Sequence, residues 1–157
     1  INLQSGAWVH SLFDLMTEGT VFLIDYGMTE AEYFHPQRSQ GTLKCFSKHK
    51  SNNDPFSDIG SQDITASVNF SNVARSAKEC GFEVAGYTTQ SMFLISLGIE
   101  NYLKNEENEE QKVKIAQEIK QLVLPGAMGE VFKVMALSKK QSVKLDGFKE
   151  LDLRGRL

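Results

Sequence analysis

The run Thr20-Val21-Phe22-Leu23-Ile24-Asp25-Tyr26-Gly27 limits most tightly what this chain can fold into. Its apolar residues are consecutive rather than alternating. A strand with one wet face alternates polar and apolar side chains, so a run without alternation marks a strand covered on both faces, as in the centre of a parallel sheet. The run ends abruptly in a carboxylate, a phenol and a glycine. In open α/β sheets ligands bind beyond the carboxyl ends of the strands, so this terminus is a candidate rim.

The flanking pattern supplies helices. Ser5 is placed to cap a helix with Trp8, Leu12, Leu15 and Met16 on one face and Gly19 at its C-cap. Gln62 to Phe70 alternates like a half-buried strand. Ser71 then caps a helix that buries Val73, Ala77 and Cys80 and stops at Gly81. Phe82 to Thr88 reads as a strand, and Ser91 opens a helix carrying Phe93, Leu94, Leu97 and Tyr102. The acidic stretch from Asn105 to Gln111 reads as a solvated turn and helix start rather than a binding site. Val113, Ala116, Ile119 and Val123 define one more helix, ended by Pro125-Gly126. Val131 to Leu137, apolar except for Lys133, is the last strand. Residues 27–62 are rich in Gly, Pro, Ser, Asn and Asp, with a strand-like island at 42–47. A loop of that length in a compact domain is expected to be a lid, a binding element or disordered.

The resulting fold class is α/β. Only three core strands are evident, fewer than a doubly wound sheet needs, so the chain reads as the second half of such a sheet.

Composition narrows the function. With 157 residues the chain suits one domain, and 41% hydrophobic with 24% charged residues is a globular balance. A net charge of −3 provides no electrostatic footprint for nucleic acid or anionic lipid. No apolar run approaches the roughly 18 residues of a membrane span, and no signal-peptide pattern is present. Cys45 and Cys80 read as free thiols of a reducing compartment. The bacterial cytoplasm is the expected location, or the mitochondrion for a eukaryotic chain. A start on Ile1 rather than Met reads as processing, or as part of something longer.

Three polar groups converge if the strand at 82–88 runs parallel to the first and the last strand is antiparallel. These are Asp25 with Tyr26, Gln90 with Thr89, and Glu130, with the 27–62 lid above them. Each has a plainer alternative: Asp25 as the cap of a backbone turn, Gly27 as a positive-φ position, Gln90 as an ordinary helix start, and Glu130 as a surface carboxylate. His35, Cys45 and His49 lack the tight spacing of metal ligands, so no metal site is expected. No Gly-x-Gly-x-x-Gly, phosphate loop or Gly-x-Ser-x-Gly turn occurs.

Several stretches, taken in order, resemble the MidA family: FLIDYG (22–27), GTLKCFSKH (41–49), DIGSQDITASVNFS (58–71), GYTTQSMFLISLGI (86–99) and MGEVFKV (128–134). These are S-adenosylmethionine-dependent methyltransferases related to the mitochondrial complex I assembly factor that methylates arginine. The resemblance implies that residues 1–157 are the C-terminal part of a single class I (Rossmann-like) methyltransferase domain. Residues 27–62 would then be the lid and 91–124 a helical insertion, with the three strands as the fifth, sixth and reversed seventh of the sheet.

The family's glycine-rich cofactor loop and the acidic residue for the cofactor ribose lie on strands this sequence does not contain. The chain alone is therefore expected to do little chemistry, and its cofactor-binding residues are unknown. Catalytic candidates are Asp25, Tyr26, His49 and Asp63, with Gln90 and Glu130 for substrate. Carboxylates suit a guanidinium cation, and a neutral His49 could take up a proton.

The expected partner is a protein substrate such as a respiratory-complex subunit. The exposed sheet edge predicts self-association or pairing with the missing half. A non-catalytic interaction module and a small-molecule methyltransferase are the competing readings.

Overall fold

The computed structural model describes residues 2–47, 50–142 and 144–157. In chain order the elements are α1 (Ser5–Leu15), β1 (Gly19–Met28), α2 (Glu30–Tyr33), β2 (Lys44–Ser47), β3 (Lys50–Asn52), β4 (Asp63–Thr65), β5 (Val68–Asn69), α3 (Phe70–Cys80), β6 (Glu83–Thr89), α4 (Gln90–Ser96), α5 (Asn101–Asn105), α6 (Glu109–Val123) and β7 (Phe132–Lys139). Two short 3₁₀ turns, Asp146–Phe148 and Arg154–Arg156, close the chain.

The main sheet has the order β5-β1-β7-β6. β7 is antiparallel to both β1 and β6, from Gly19 opposite Lys139 to Tyr26 opposite Phe132 on one side and from Glu83 opposite Ser138 to Thr89 opposite Lys133 on the other. β1 and β6 therefore run the same way with β7 between them, and their carboxyl ends share one edge with the start of β7. A core of Val9, Phe70, Val73, Ala77, Phe82, Tyr87, Met135 and Leu137 lies between the sheet and α1 with α3. Val134, Ala136 and Phe148 form a smaller cluster on the opposite face.

Several sequence expectations shift by a residue or an element, each for a local reason. On α1 the buried stripe is Val9 with Leu12, Phe13 and Met16, whereas Trp8 and Leu15 are exposed at 49% and 83%. The helix is apolar on two faces, so periodicity alone could not choose between them. Its N-cap is Gln4 rather than Ser5, and its C-cap is Met16 rather than Gly19. The end of α1 is instead closed by Lys139, whose Nζ donates to Phe13 O and Met16 O at 2.6 Å each. Asn69, not Ser71, caps α3, because its carboxamide reaches the Asn72 N–H. Thr89 in the same way replaces Ser91 at α4. Gly81 ends α3 at φ +107, where a side chain would be strained.

The alternating stretch 62–70 is two strands rather than one. β4 pairs antiparallel with β2 in a small sheet of order β3-β2-β4, while β5 pairs parallel with β1. The 27–62 segment is thus less irregular than expected. β1 runs on through Met28, Thr29 opens α2, and β2 and β3 form a hairpin. The helices after β6 are α4, α5 and α6, joined by Gly98 at φ +77 and by an Asn108 cap.

The two outer edges of the main sheet are treated differently. The edge of β6 is covered by the C-terminal segment: Leu153 N–H donates to Tyr87 O at 2.6 Å, and the Arg154 guanidinium donates to Val84 O at 3.0 Å. The outer edge of β1 is paired only at Gly27 and Met28, by β5.

Candidate functional site

The rim where β1 and β6 end and β7 begins collects most of the predicted residues. Asp25 lies directly opposite Lys133, which lies opposite Thr89, so three polar residues form a row across three strands. Residues opposite one another in an antiparallel ladder project from the same face, so Asp25 and Lys133 share one face of the sheet. Tyr26 stacks on Phe132 with ring centroids 4.0 Å apart. Glu130 sits in the turn just before β7, and its backbone oxygen accepts from Lys133 Nζ.

The predicted residues do not all stand free. Asp25 Oδ1 accepts the Tyr26 backbone N–H at 2.7 Å, the plainer backbone-capping role. Gln90 is buried, and its Nε2 donates to Leu122 O at 2.9 Å, tying α4 to the end of α6. Its amide oxygen has no protein partner among the described residues. Asp63 is on β4, opposite Phe46 in the small sheet, apart from the Asp25–Lys133–Thr89 row. His49 lies outside the described residues. Among those residues no group of three His, Cys, Asp or Glu side chains is arranged to hold a metal.

Two residues that the sequence reading missed belong to this rim. Glu32 Oε2 accepts both the backbone N–H and the hydroxyl of Thr29, at 2.9 and 3.0 Å. These bonds, led by the backbone one and helped by Lys133 and Arg156, hold the Glu32 carboxyl below the usual range against the opposing effect of burial. Burial pushes the Lys133 ammonium below the usual lysine range, opposed by the charges of Glu32 and Glu130. The signals were present in the sequence: Thr29-Glu30-Ala31-Glu32 is a capping box, and Lys133 is the single charge in the apolar run from Val131 to Leu137. Nearby, Tyr87 is almost wholly buried, and its hydroxyl has no partner among the described residues. Burial, seconded by the Glu32 charge, pushes this phenol up.

A groove of about 1640 Å³ runs from this rim down the open side of β1. Phe22, Ile24 and Asp25 of β1, Trp8 of α1, and Phe34 and Leu43 of the segment before β2 line it. From the segment expected to be a lid, residues between Glu30 and Leu43 line this groove.

A mixed α/β sheet whose strand ends carry a polar rim is the architecture of a domain that binds its ligand at the carboxyl edge. Residues 1–88 match the family described as "Putative S-adenosyl-L-methionine-dependent methyltransferase", and the chain belongs to that family. It is also similar to two crystal structures of COG1565 superfamily proteins from Burkholderia thailandensis. One holds S-adenosyl-homocysteine; it is 36% identical with a TM-score of 0.92, and the match covers 97% of this chain and 40% of that one. The other, a native structure, matches with the same identity and TM-score over 97% of this chain and 41% of that one. The chain thus spans about two-fifths of the length of these relatives. A comparison with curated proteins finds no match.

S-adenosyl-L-methionine is the family's cofactor, and the strand-to-helix turns described here do not form a cradle for it. The strand-to-helix turns are closed by their own residues. Thr29 is held by Glu32, Asn69 accepts from Asn72, and Thr89 accepts from Met92. None of these turns is left open to receive an anionic group at a helix N-terminus. At the end of β1, a Cβ on Gly27 would lie 2.4 Å from the Phe70 ring, so that glycine serves close packing rather than a ligand.

Proposed function

We propose that this chain forms the substrate-facing wall of an S-adenosyl-L-methionine-dependent methyltransferase of the MidA type, as the second half of a Rossmann-like sheet, acting on arginine of a protein. The observation that carries the reading is the meeting of the β1 and β6 carboxyl ends with the start of β7 at one polar rim, in a chain of this family. Transfer to a guanidinium nitrogen requires that nitrogen to be aligned with the methyl group and its delocalised cation to be held by carboxylates. Asp25 and Glu130 supply that charge at the rim, and Asp63 supplies it from the small sheet. Tyr26 with Phe132 offers an aromatic surface to the cation, and the free amide oxygen of Gln90 accepts a hydrogen bond. His49 is the candidate for taking up the released proton. The cradle of the cofactor comes from sequence beyond these residues, so the chain by itself binds the cofactor weakly. A bacterial cytoplasmic location, or a mitochondrial one in a eukaryote, fits a protein substrate of the respiratory chain.

The test is calorimetry with S-adenosyl-homocysteine on a longer polypeptide containing this chain, beside transfer of labelled methyl to arginine peptides. Binding with arginine-dependent transfer is the expected result. Binding without transfer to any arginine substrate would leave the methyltransferase class standing and remove the arginine assignment.

A further inference from the structure

Lys133 is a charged side chain in a strand flanked on both sides, by β1 and by β6, and it is half-buried. An ammonium drawn out of water is normally answered by a paired carboxylate. Among the described residues Lys133 is in no ion pair, and its Nζ donates instead to the backbone oxygen of Glu130. That bond leaves two of the three ammonium donors for other acceptors. Carboxylates are nonetheless at hand. Asp25 stands opposite on the same face of the sheet, and the charges of Glu32 and Glu130 both act on the ammonium.

Tyr87 presents the complementary gap. It is 1% exposed, its ring packs on Phe70 with centroids 5.4 Å apart, and its hydroxyl has no partner among the described residues. A buried phenol left without a hydrogen bond is rare and destabilising. Tyr87 lies opposite Met135, two positions along β7 from Lys133, so Tyr87 and Lys133 are diagonal neighbours on one face. Diagonal neighbours stand roughly 7–8 Å apart, within reach of long side chains. Glu32 is common to both, since its charge acts on the ammonium and on the phenol. Its Oε2 is held by Thr29, and its Oε1 accepts no bond among the described residues.

We propose that Lys133 is a tethered cation with two stations, and that its movement between them decides which side chains the rim admits. In the outer station, the one in this structure, the ammonium bonds to Glu130 O on the face it shares with Asp25 and holds the place of a substrate cation. In the inner station it donates to the Tyr87 hydroxyl and to Glu32 Oε1. A guanidinium arriving at Asp25 and Glu130 drives the ammonium inward, because like charges side by side repel strongly. The inner station gives the phenol the partner it lacks. A neutral side chain does not displace the ammonium, so the device selects cationic ones. The inference rests on the arginine reading above and names the residue that gates that same rim.

The test is a calorimetric titration of the 157-residue chain with N-acetyl-arginine methylamide, beside the citrulline analogue as a neutral isostere. Lys133→Met keeps the length of the stem and removes the charge, and it should bind the arginine probe about tenfold more tightly than the parent. Tyr87→Phe deletes only the hydroxyl. It should weaken binding about fivefold in the parent and leave it unchanged in the Lys133→Met background. Isotopically labelled ring carbons of Tyr87 should shift on adding the arginine probe to the parent and stay in place in Lys133→Met. Equal arginine affinity in the parent and Lys133→Met would overturn the gate and leave the arginine reading standing. Arginine affinity independent of Tyr87 in the parent would remove the inner station and with it the inference. Failure of every variant to prefer the arginine probe would overturn the inference too, and the arginine reading is then decided by the separate transfer assay on the longer polypeptide.

Discussion

Asp25 Oδ1 accepts the backbone N–H of Tyr26 at 2.7 Å, so the carboxylate at the tip of β1 is engaged with its own backbone on the open side of the sheet. The side chain of Asp25 is exposed on the groove, and it stands opposite Lys133 across the ladder. One residue thereby belongs to the sheet edge and to the rim together.

In a longer, cofactor-binding polypeptide, Asp25→Asn should lower methyl transfer by about 100-fold, the scale of a lost positioning contact. Affinity for S-adenosyl-homocysteine should change little. Asp63→Ala, on the small sheet, should have the smaller effect of the two. Steady-state turnover beside calorimetry separates these outcomes, and unchanged turnover in both variants would remove the carboxylate model of the rim.

Gln90 has a structural duty that a substrate contact would not need. Gln90→Ala leaves the Leu122 carbonyl without its donor and unties α4 from α6. The expected loss of stability is about 1–2 kcal/mol, read from the shift of the urea midpoint at constant slope. Lost turnover with an unshifted midpoint would assign the side chain to the substrate instead.

Lys139 closes α1 from the far end of the sheet. Its ammonium meets two helix-terminal carbonyls and lies 3.6 Å from the centre of the Phe13 ring. Lys139→Met keeps the length of the side chain and deletes the charge, and it should cost about 2 kcal/mol. The same midpoint measurement checks it, with fraying of α1 seen as faster amide exchange near Phe13.

The rim titrates with a definite sign. The Glu32 carboxyl sits below its ordinary value in the folded chain, first because of the Thr29 backbone bond. Its stabilisation is therefore present above the ordinary glutamate range and is lost as pH falls through the folded value. Lys133 is also lowered, by burial, so the unfolded chain takes up its proton more readily and stability rises with pH toward the ordinary lysine value. Urea midpoints across the acid range should fall less steeply for Glu32→Gln than for the parent. An identical acid slope would show that the Thr29–Glu32 box has no linkage to folding.

Local chemistry carried much of this protein in its sequence. The unalternating run at Thr20 to Tyr26 already specified a strand, but not the parallel, doubly covered one expected: β1 pairs along its length with antiparallel β7 and leaves Phe22 and Ile24 exposed. The reversal of the last strand was only supposed, and the antiparallel pairing of β7 bears it out. Val73, Ala77 and Gly81 specified the buried face and the stop of α3. These features depend on periodicity and on single-residue backbone preferences, which neighbouring residues set. Others depended on contacts between residues far apart in the chain. Whether Trp8 or Val9 faced the core, whether Asn69 or Ser71 capped α3, and whether Gln90 was free or bound to Leu122 were decided only when the elements packed. Lys139 reaching Phe13 across 126 positions left no trace in either local pattern. The outer edge of β1 shows both levels at once: the sequence wrote a central strand, and among the described residues the tertiary structure pairs that edge only at Gly27 and Met28.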